Sequence, residues 1–370
     1  MLDGTDMLIM SFIAPVLSEN WAISPERLGL LFSASLAGMA FGCLLIAPLA
    51  DRFGRRAMIA AALAVVAAAM VLSAFSRNVP QLMVARLFVG TGVGTIGVSM
   101  TAMAAEYAPK AHANFAVGFV QAGWPLGSIL TAILAAKLLP AHDWQSLLVG
   151  IGVLSAGLFL VILVLLPESL GDAGSSMALR VPALFASGRA WPSALLWSAV
   201  ALSYFVLYFA ISWIPKLVTQ AGLPLTEAIY AGATYNLGAF LGTAAVGWIA
   251  IRYRLNEVIA SFLGAAAIAM LVFGGLSMPV WLTLLAAACV GVTVQGGFNG
   301  YWALAARLYP AGMRSTGIGW ALGVGRVGAV LGPIAGGLLV GARVPMAMIF
   351  AIFAMAAAAA AAVTLRIRVD

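Results

Sequence analysis

Twelve apolar stretches, separated by short polar or Pro/Gly-rich punctuation, run the length of this 370-residue chain. The first covers Leu2–Leu17. Five more follow at about Leu28–Ala50, Ala57–Phe75, Gln81–Ala105, Asn114–Lys137 and Gln145–Leu166. A polar stretch from Pro167 to Pro192 interrupts the series. Six further runs come after it, at about Ser193–Leu217, Ala228–Ile251, Val258–Leu276, Val280–Ala306, Thr316–Val340 and Met346–Leu365. Apolar runs of about 20 residues predict membrane-spanning helices. The predicted architecture is all-α, a polytopic membrane protein of two six-helix bundles, 1–166 and 193–370, joined by a central loop over 167–192. The first run is short and holds Asp3 and Asp6 near its start. No charged region precedes it, so it does not read as a signal peptide. It is expected to be a span that has lost its N-terminal half.

Composition narrows the class further. Hydrophobic residues make up 64% of the chain and charged residues only 8%, with mean hydropathy +1.08. A soluble domain carries about 25% charged residues, so water-soluble, disordered and disulfide-scaffold classes are excluded. The continuous runs also exclude an outer-membrane barrel, whose strands alternate. The net charge of +7 is spread over short loops, which is no nucleic-acid footprint. Of 19 lysines and arginines, twelve lie in loops after even-numbered runs or at the C-terminus and five in the other loops. That bias predicts a cytoplasmic central loop and C-terminus. The remaining two, Arg86 and Arg326, lie inside runs. Cys43 and Cys289 sit in apolar stretches and are expected to be inert, and His112 and His142 fall in loops. Neither a metal site nor a cofactor is expected.

The two halves echo each other at an offset near 200 residues. APLADRFGRR from Ala47 falls over GWIAIRYRLN from Gly247, and EYAPK from Glu106 over RLYPAGMR around Tyr309. Parallel duplication of six spans is a transporter design with substrate bound near the bilayer midplane.

Several motifs carry a resemblance to a known family. Asp51-Arg52-Phe53-Gly54-Arg55-Arg56, between spans two and three, resembles the G-x-x-x-D-R-x-G-R-R loop motif of the major facilitator superfamily, with Ala47 at the motif's first glycine. Arg86-x-x-x-Gly90-x-Gly92-x-Gly94 resembles the superfamily's span-four motif. Within the superfamily, Asp3-Gly4-Thr5-Asp6 is similar to the D-G-x-D of the aromatic acid:proton symporters. Pro15, Trp21, Glu106-Tyr107, LPES from Leu166 and Gly325-Arg326-x-Gly328-x-x-x-Gly332-Pro333 fit the same group. The resemblance implies a proton-coupled importer of small aromatic carboxylates in a bacterial inner membrane, working as a monomer by alternating access.

Physical chemistry gives the candidate residues roles. The resemblance places Asp3 and Asp6 inside span one, where a carboxylate must face a cavity or take up a proton. Asp3, Asp6 and Glu106 are therefore the proton-coupling candidates, with Glu106 alternatively a gate or a solvated helix end. An isolated guanidinium in a span needs an anion, and its fork fits a carboxylate. Arg326 is assigned to substrate binding or coupling. Arg86 suits either substrate contact or an ion pair with a span-one aspartate. Tyr204, Tyr208 and Trp213 in span seven, Asn236 in span eight, and Gln295, Asn299 and Trp302 in span ten are candidates for the aromatic part of a substrate, with aromatics stacking on the ring and amides bonding a ring hydroxyl. Asp51, Arg52, Gly54, Arg55 and Arg56 read as a conformational latch and, in part, a topology anchor. Gly90, Gly92, Gly94 and Gly97, and Gly317 through Gly337, are expected to let helices approach closely. A carrier of another organic anion and an exporter of the same fold are the alternatives. Gly123-Trp124-Pro125-Leu126-Gly127 departs from the exporters' span-five pattern. A non-transporting sensor, or a fragment with no activity, is the third reading.

Overall fold

The computed structural model describes residues 1–107, 109, 113–139, 143–166, 184–186, 188–275, 278–309 and 314–367. Among them, each apolar run becomes a helix: α1 (Leu2–Asn20), α2 (Pro25–Phe41), α3 (Arg55–Ala74), α4 (Val79–Tyr107), α5 (Ala113–Leu138), α6 (Trp144–Leu165), α7 (Ala190–Gln220), α8 (Leu225–Ile249), α9 (Leu255–Gly275), α10 (Val280–Leu308), α11 (Arg314–Gly341) and α12 (Met346–Leu365). Nine of these, all but α1, α5 and α8, are long and apolar enough to cross a membrane among the described residues. Asp3, Asp6 and Glu19 dilute α1, and Glu227, Asn236 and five threonines or tyrosines dilute α8. Polar residues in a spanning helix mark function, and both helices return in the site below. Apolar side chains also cover the outer faces, as at Val164 (79% exposed) and Leu165 (74%) on α6. Such a surface suits lipid and not water.

By contacts the chain divides into two compact units, Met1–Ser175 and Ser176–Asp370. In the first, α1 packs on α5, α2 on α4, and α3 on both α4 and α6. In the second, α7 packs on α11, α8 on α10, and α9 on both α10 and α12. Every pairing thus recurs six helices later.

The closest helix approaches recur as well, at nearly constant spacing. A Cβ on Gly38 would fall 2.1 Å from the Leu87 carbonyl oxygen, and one on Gly238 would fall 2.0 Å from that of Ala288. Gly42 meets the Thr91 carbonyl as Gly242 meets that of Val292. Gly90 meets Ser35 as Gly291 meets Tyr235, and Gly127 meets Met1 as Gly328 meets Ala201. Only a residue without a side chain permits such backbone-on-backbone contact. The duplication is therefore preserved best where helices touch, and the loops between them have drifted.

Not every glycine serves this purpose. Gly97 and Gly319 have no described atom within 4 Å of an added Cβ. The expectation that they join the packing stripes is corrected: they lie on other faces of their helices. Conversely, Gly54 in the loop motif has φ 91° and ψ 140°, where the four-residue turn Ala50–Phe53 ends and α3 begins. L-residues rarely adopt that backbone, which accounts for the motif's glycine. The same logic marks the ends of α1 and α7. Gly222 has φ 95°, whereas its counterpart Ala22 holds φ 46° with a side chain.

Two stability predictions follow from these contacts. Ala22→Gly is expected to stabilise the protein by about 1 kcal/mol and Gly222→Ala to destabilise it by about as much or more, read as opposite shifts in melting temperature in detergent. Gly38→Ala and Gly238→Ala are expected to cost about 1–3 kcal/mol through overpacking. Gly97→Ala and Gly319→Ala should instead be neutral or gain up to about 1 kcal/mol from helix propensity. Equal losses at all four glycines would contradict the assignment of faces.

Candidate functional site

The N-terminal unit holds a charged pair with almost no exposed surface. Asp6 on α1 is 1% exposed and Arg86 on α4 is 0% exposed. Arg86 Nη2 donates to Asp6 Oδ1 in a buried ion pair, and to the Asp6 carbonyl at 3.2 Å. Ser35 Oγ on α2 donates to the other carboxylate oxygen, Oδ2, at 2.5 Å. Arg86 Nη1 reaches Met70 Sδ on α3 at 3.4 Å, while its Nε has no hydrogen-bond partner among the described residues. Breaking a buried pair from one side costs about 3–5 kcal/mol, because the remaining charge stays unsolvated.

The surrounding backbone brings these groups together. Gly90, one turn beyond Arg86, lets the Ser35 carbonyl press against α4; a Cβ there would sit 1.9 Å from that oxygen. Gly4 does the same for α1 against the Trp124 carbonyl of α5. Ser128 Oγ donates to the Gly4 carbonyl at 3.3 Å, and Thr5 Oγ1 to that of Gly127 at 3.4 Å. The glycine of the D-G-x-D segment therefore seats α1 so that its second aspartate meets Arg86. Asp3, one turn earlier, is half-buried. The side chain of Glu106 lies outside the described residues.

The C-terminal unit gathers aromatic and amide groups. Tyr204 and Tyr208 on α7 are both buried and stack at 5.6 Å with 28° between planes. Phe298 on α10 lies 4.4 Å from the Tyr204 ring. A Cβ on Gly325 would come 3.1 Å from that ring, so this glycine of the Gly325-Arg326 motif makes room for Tyr204 against α11. Arg326 follows directly and is half-buried. Gln295 Nε2 donates to Asn299 Oδ1 at 3.3 Å, and Asn299 Nδ2 donates to Thr243 Oγ1 on α8 at 2.6 Å. Asn236 is fully buried and its Nδ2 donates to the Gly232 carbonyl at 2.7 Å. The Gln295 and Asn236 side-chain oxygens and the Tyr235 hydroxyl lack hydrogen-bond partners among the described residues. Trp302 is 42% exposed, and Trp213, wholly buried, donates Nε1 to the Pro333 carbonyl at 3.1 Å.

In the loop motif, Arg55 is buried, and an Arg56 guanidinium nitrogen donates to the Leu163 carbonyl at the end of α6. That bond ties the start of α3 to the C-terminal turn of α6, where carbonyls lack intrahelical partners. The side chains of Asp51 and Arg52 lie outside the described residues. Sequence reasoning did not reach Ser35, Met70, Tyr235, Thr243 or Phe298. A lone serine or threonine in an apolar run carries no spacing signal. Tyr235 was adjacent to a named candidate and gave no further sign.

The family model described as Major Facilitator Superfamily matches residues 1–325. The 4-hydroxybenzoate transporter PcaK of Pseudomonas putida is 34% identical, over 92% of this chain and 84% of its own. The gallate transporter of Pseudomonas putida is 30% identical, over 96% of this chain and 87% of its own. The crystal structure of a D-xylose-proton symporter matches with a TM-score of 0.80 at 18% identity, over 99% of this chain and 94% of that one, which is a likeness of fold. Helices, motifs and relatives agree: the chain belongs to the Major Facilitator Superfamily and is a multi-pass membrane transporter, not an enzyme.

Proposed function

We propose that this protein takes up small aromatic carboxylates together with protons across a bacterial inner membrane, with its central loop and C-terminus in the cytoplasm, as a monomer. The substrate class rests on the likeness to the 4-hydroxybenzoate and gallate transporters. The observation that carries the coupling is the buried Asp6–Arg86 pair. The carboxylate there accepts from its guanidinium and from Ser35. Protonating Asp6 leaves Arg86 as an uncompensated cation in an apolar interior, which is unfavourable by several kcal/mol. A second anion relieves that cost, so proton and carboxylate uptake favour one another. By linkage the coupling is reciprocal: the proton favours substrate binding as much as the substrate favours proton binding.

Arg326 is the carboxylate anchor in the C-terminal unit, and Tyr204, Tyr208 and Phe298 supply the faces on which a ring stacks. Asp3 and Glu106 are further candidates for carrying protons. The Gly54 turn with Arg55 and Arg56 serves as a cytoplasmic latch, because one exposed guanidinium-to-carbonyl bond is weak enough to break and re-form during alternating access.

Uptake of radiolabelled 4-hydroxybenzoate and benzoate, with and without a protonophore, tests the reading. Accumulation in expressing cells is expected to collapse with the protonophore, and Arg326→Ala is expected to lower it at least about tenfold, the loss of one charge-assisted bond. Accumulation indifferent to both would sink the proposal. A stability experiment separates coupling from folding. Asp6→Asn is expected to lower the melting temperature through a loss of about 3–5 kcal/mol. Asp6→Asn with Arg86→Met should recover much of that stability and still fail to accumulate substrate. Restored accumulation in the double variant would remove the pair from the coupling mechanism.

A further inference from the structure

The amide chain in the C-terminal unit has a direction, and the direction specifies a ligand. Thr243 Oγ1 donates its one proton to the Ala239 carbonyl at 2.9 Å. A carbonyl oxygen only accepts, so while that bond stands the threonine oxygen must accept from its other neighbour. The Asn299 amide nitrogen is therefore the end that faces it, at 2.6 Å. Asn299 then presents its oxygen to Gln295, which can answer only with its own amide nitrogen, at 3.3 Å. The end of the chain is Gln295 Oε1. Gln295 is 9% exposed, and this oxygen has no hydrogen-bond partner among the described residues. Flipping either amide breaks a bond further along, so the open group is an acceptor.

Asn236 repeats the pattern with the same sign. Its nitrogen is bound to the Gly232 carbonyl, and its buried Oδ1 is unpartnered among the described residues. Burying an acceptor without a donor is costly, and a site with open acceptors recognises a molecule that brings donors.

The position agrees with the chemistry. Gln295 lies one helical turn before Phe298, whose ring meets Tyr204, and Tyr204 in turn lies against Gly325, beside Arg326. The aromatic faces thus sit between the guanidinium-bearing helix α11 and the amide-bearing helix α10.

We infer that Gln295 Oε1, oriented by Asn299 and Thr243, accepts a hydrogen bond from a hydroxyl on the ring of the transported acid. The site then selects aromatic carboxylates bearing a ring hydroxyl over those bearing none, or an ether, at that position. This rests on the aromatic-carboxylate reading above and adds a specificity-determining residue and two positioning residues to it. A hydroxyl can donate to Oε1. A methoxy group, similar in shape and polarity, cannot, and it leaves the acceptor buried and unpaired.

The test is competition. Inhibition of 4-hydroxybenzoate uptake by unlabelled 4-hydroxybenzoate, benzoate and 4-methoxybenzoate gives the ratio of apparent affinities in cells expressing the full chain. In the unaltered protein the hydroxylated acid is expected to win over the methoxy compound by about tenfold or more. Gln295→Met should cut that ratio about tenfold. Thr243→Val keeps the side chain's shape and leaves Gln295 in place, yet frees both amides to turn, and should cut the ratio as well. A purely structural role would weaken all three competitors together and leave the ratios unchanged, which would overturn the inference. Uptake with no preference for the hydroxyl in the unaltered protein would overturn it too, while leaving the aromatic-carboxylate reading intact. Absence of any aromatic acid uptake, with the protein demonstrated in the membrane, would overturn both.

Discussion

A buried carboxylate and a buried guanidinium that satisfy each other constrain the whole N-terminal unit. Neither Asp6 nor Arg86 is tolerable alone in that interior, so α1 and α4 must meet where the two side chains meet. Ser35 must also arrive from α2, and it does so only because Gly90 has no side chain. Gly4 holds α1 close to α5 at the other side. A few tenths of an ångström of separation between helices would weaken every one of these bonds. The glycines are thus part of the electrostatics, since they set the distances over which the charges act.

The second unit shows what the same scaffold does without that constraint. Its helices pack in the same pairs, with the close approaches repeated at Gly238, Gly242, Gly291 and Gly328. By the same spacing, Val206 and Ala287 stand where Asp6 and Arg86 stand in the first unit, and Tyr235 stands where Ser35 does. The polar groups have moved to other faces of the helices and are mostly neutral: stacked tyrosines, a chain of amides, and one half-buried arginine. A backbone frame defined by glycine contacts tolerates such exchange, because those backbone-to-backbone contacts do not pass through the exchanged side chains.

That division explains what could be read from the sequence. Periodicity and run length placed eleven of the twelve helices to within a few residues, as with the run Gln81–Ala105 and α4 at Val79–Tyr107, because apolar length is nearly the whole signal for a span; the run Leu28–Ala50 outlasts α2, whose α-helical winding ends at Phe41 and gives way to a π turn and a 3-10 turn up to Leu49. The isolated charges Asp6 and Arg86 were legible because a charge in an apolar run is conspicuous, and the ion pair between them was one of two roles open to Arg86. The faces were not. Gly97 looks like Gly94 in a list of letters, yet a Cβ on one would meet no described atom within 4 Å and the other touches the Met39 backbone. Ser35 and Thr243 were invisible for a similar reason: hydroxyls in membrane helices usually bond their own backbone one turn back, as Thr243 also does, and composition does not say which of them reach a neighbour.

The two kinds of polar site are suited to different tasks by magnitude alone. A buried ion pair broken from one side changes the energy by about 3–5 kcal/mol. That is large enough to bias a conformational equilibrium, where moving from 1:99 to 99:1 takes about 5.5 kcal/mol. It is also large enough that a substrate bound by such pairs alone would leave slowly. A neutral hydrogen bond is worth about 0.5–1.5 kcal/mol, too little to drive the change but enough to separate two ligands by up to about tenfold. A transporter must release what it recognises on every cycle. In the proposed reading, charge concentrated on the coupling groups and one anchoring arginine, with discrimination left to stacked rings and neutral amides, would let recognition be selective while release stays fast.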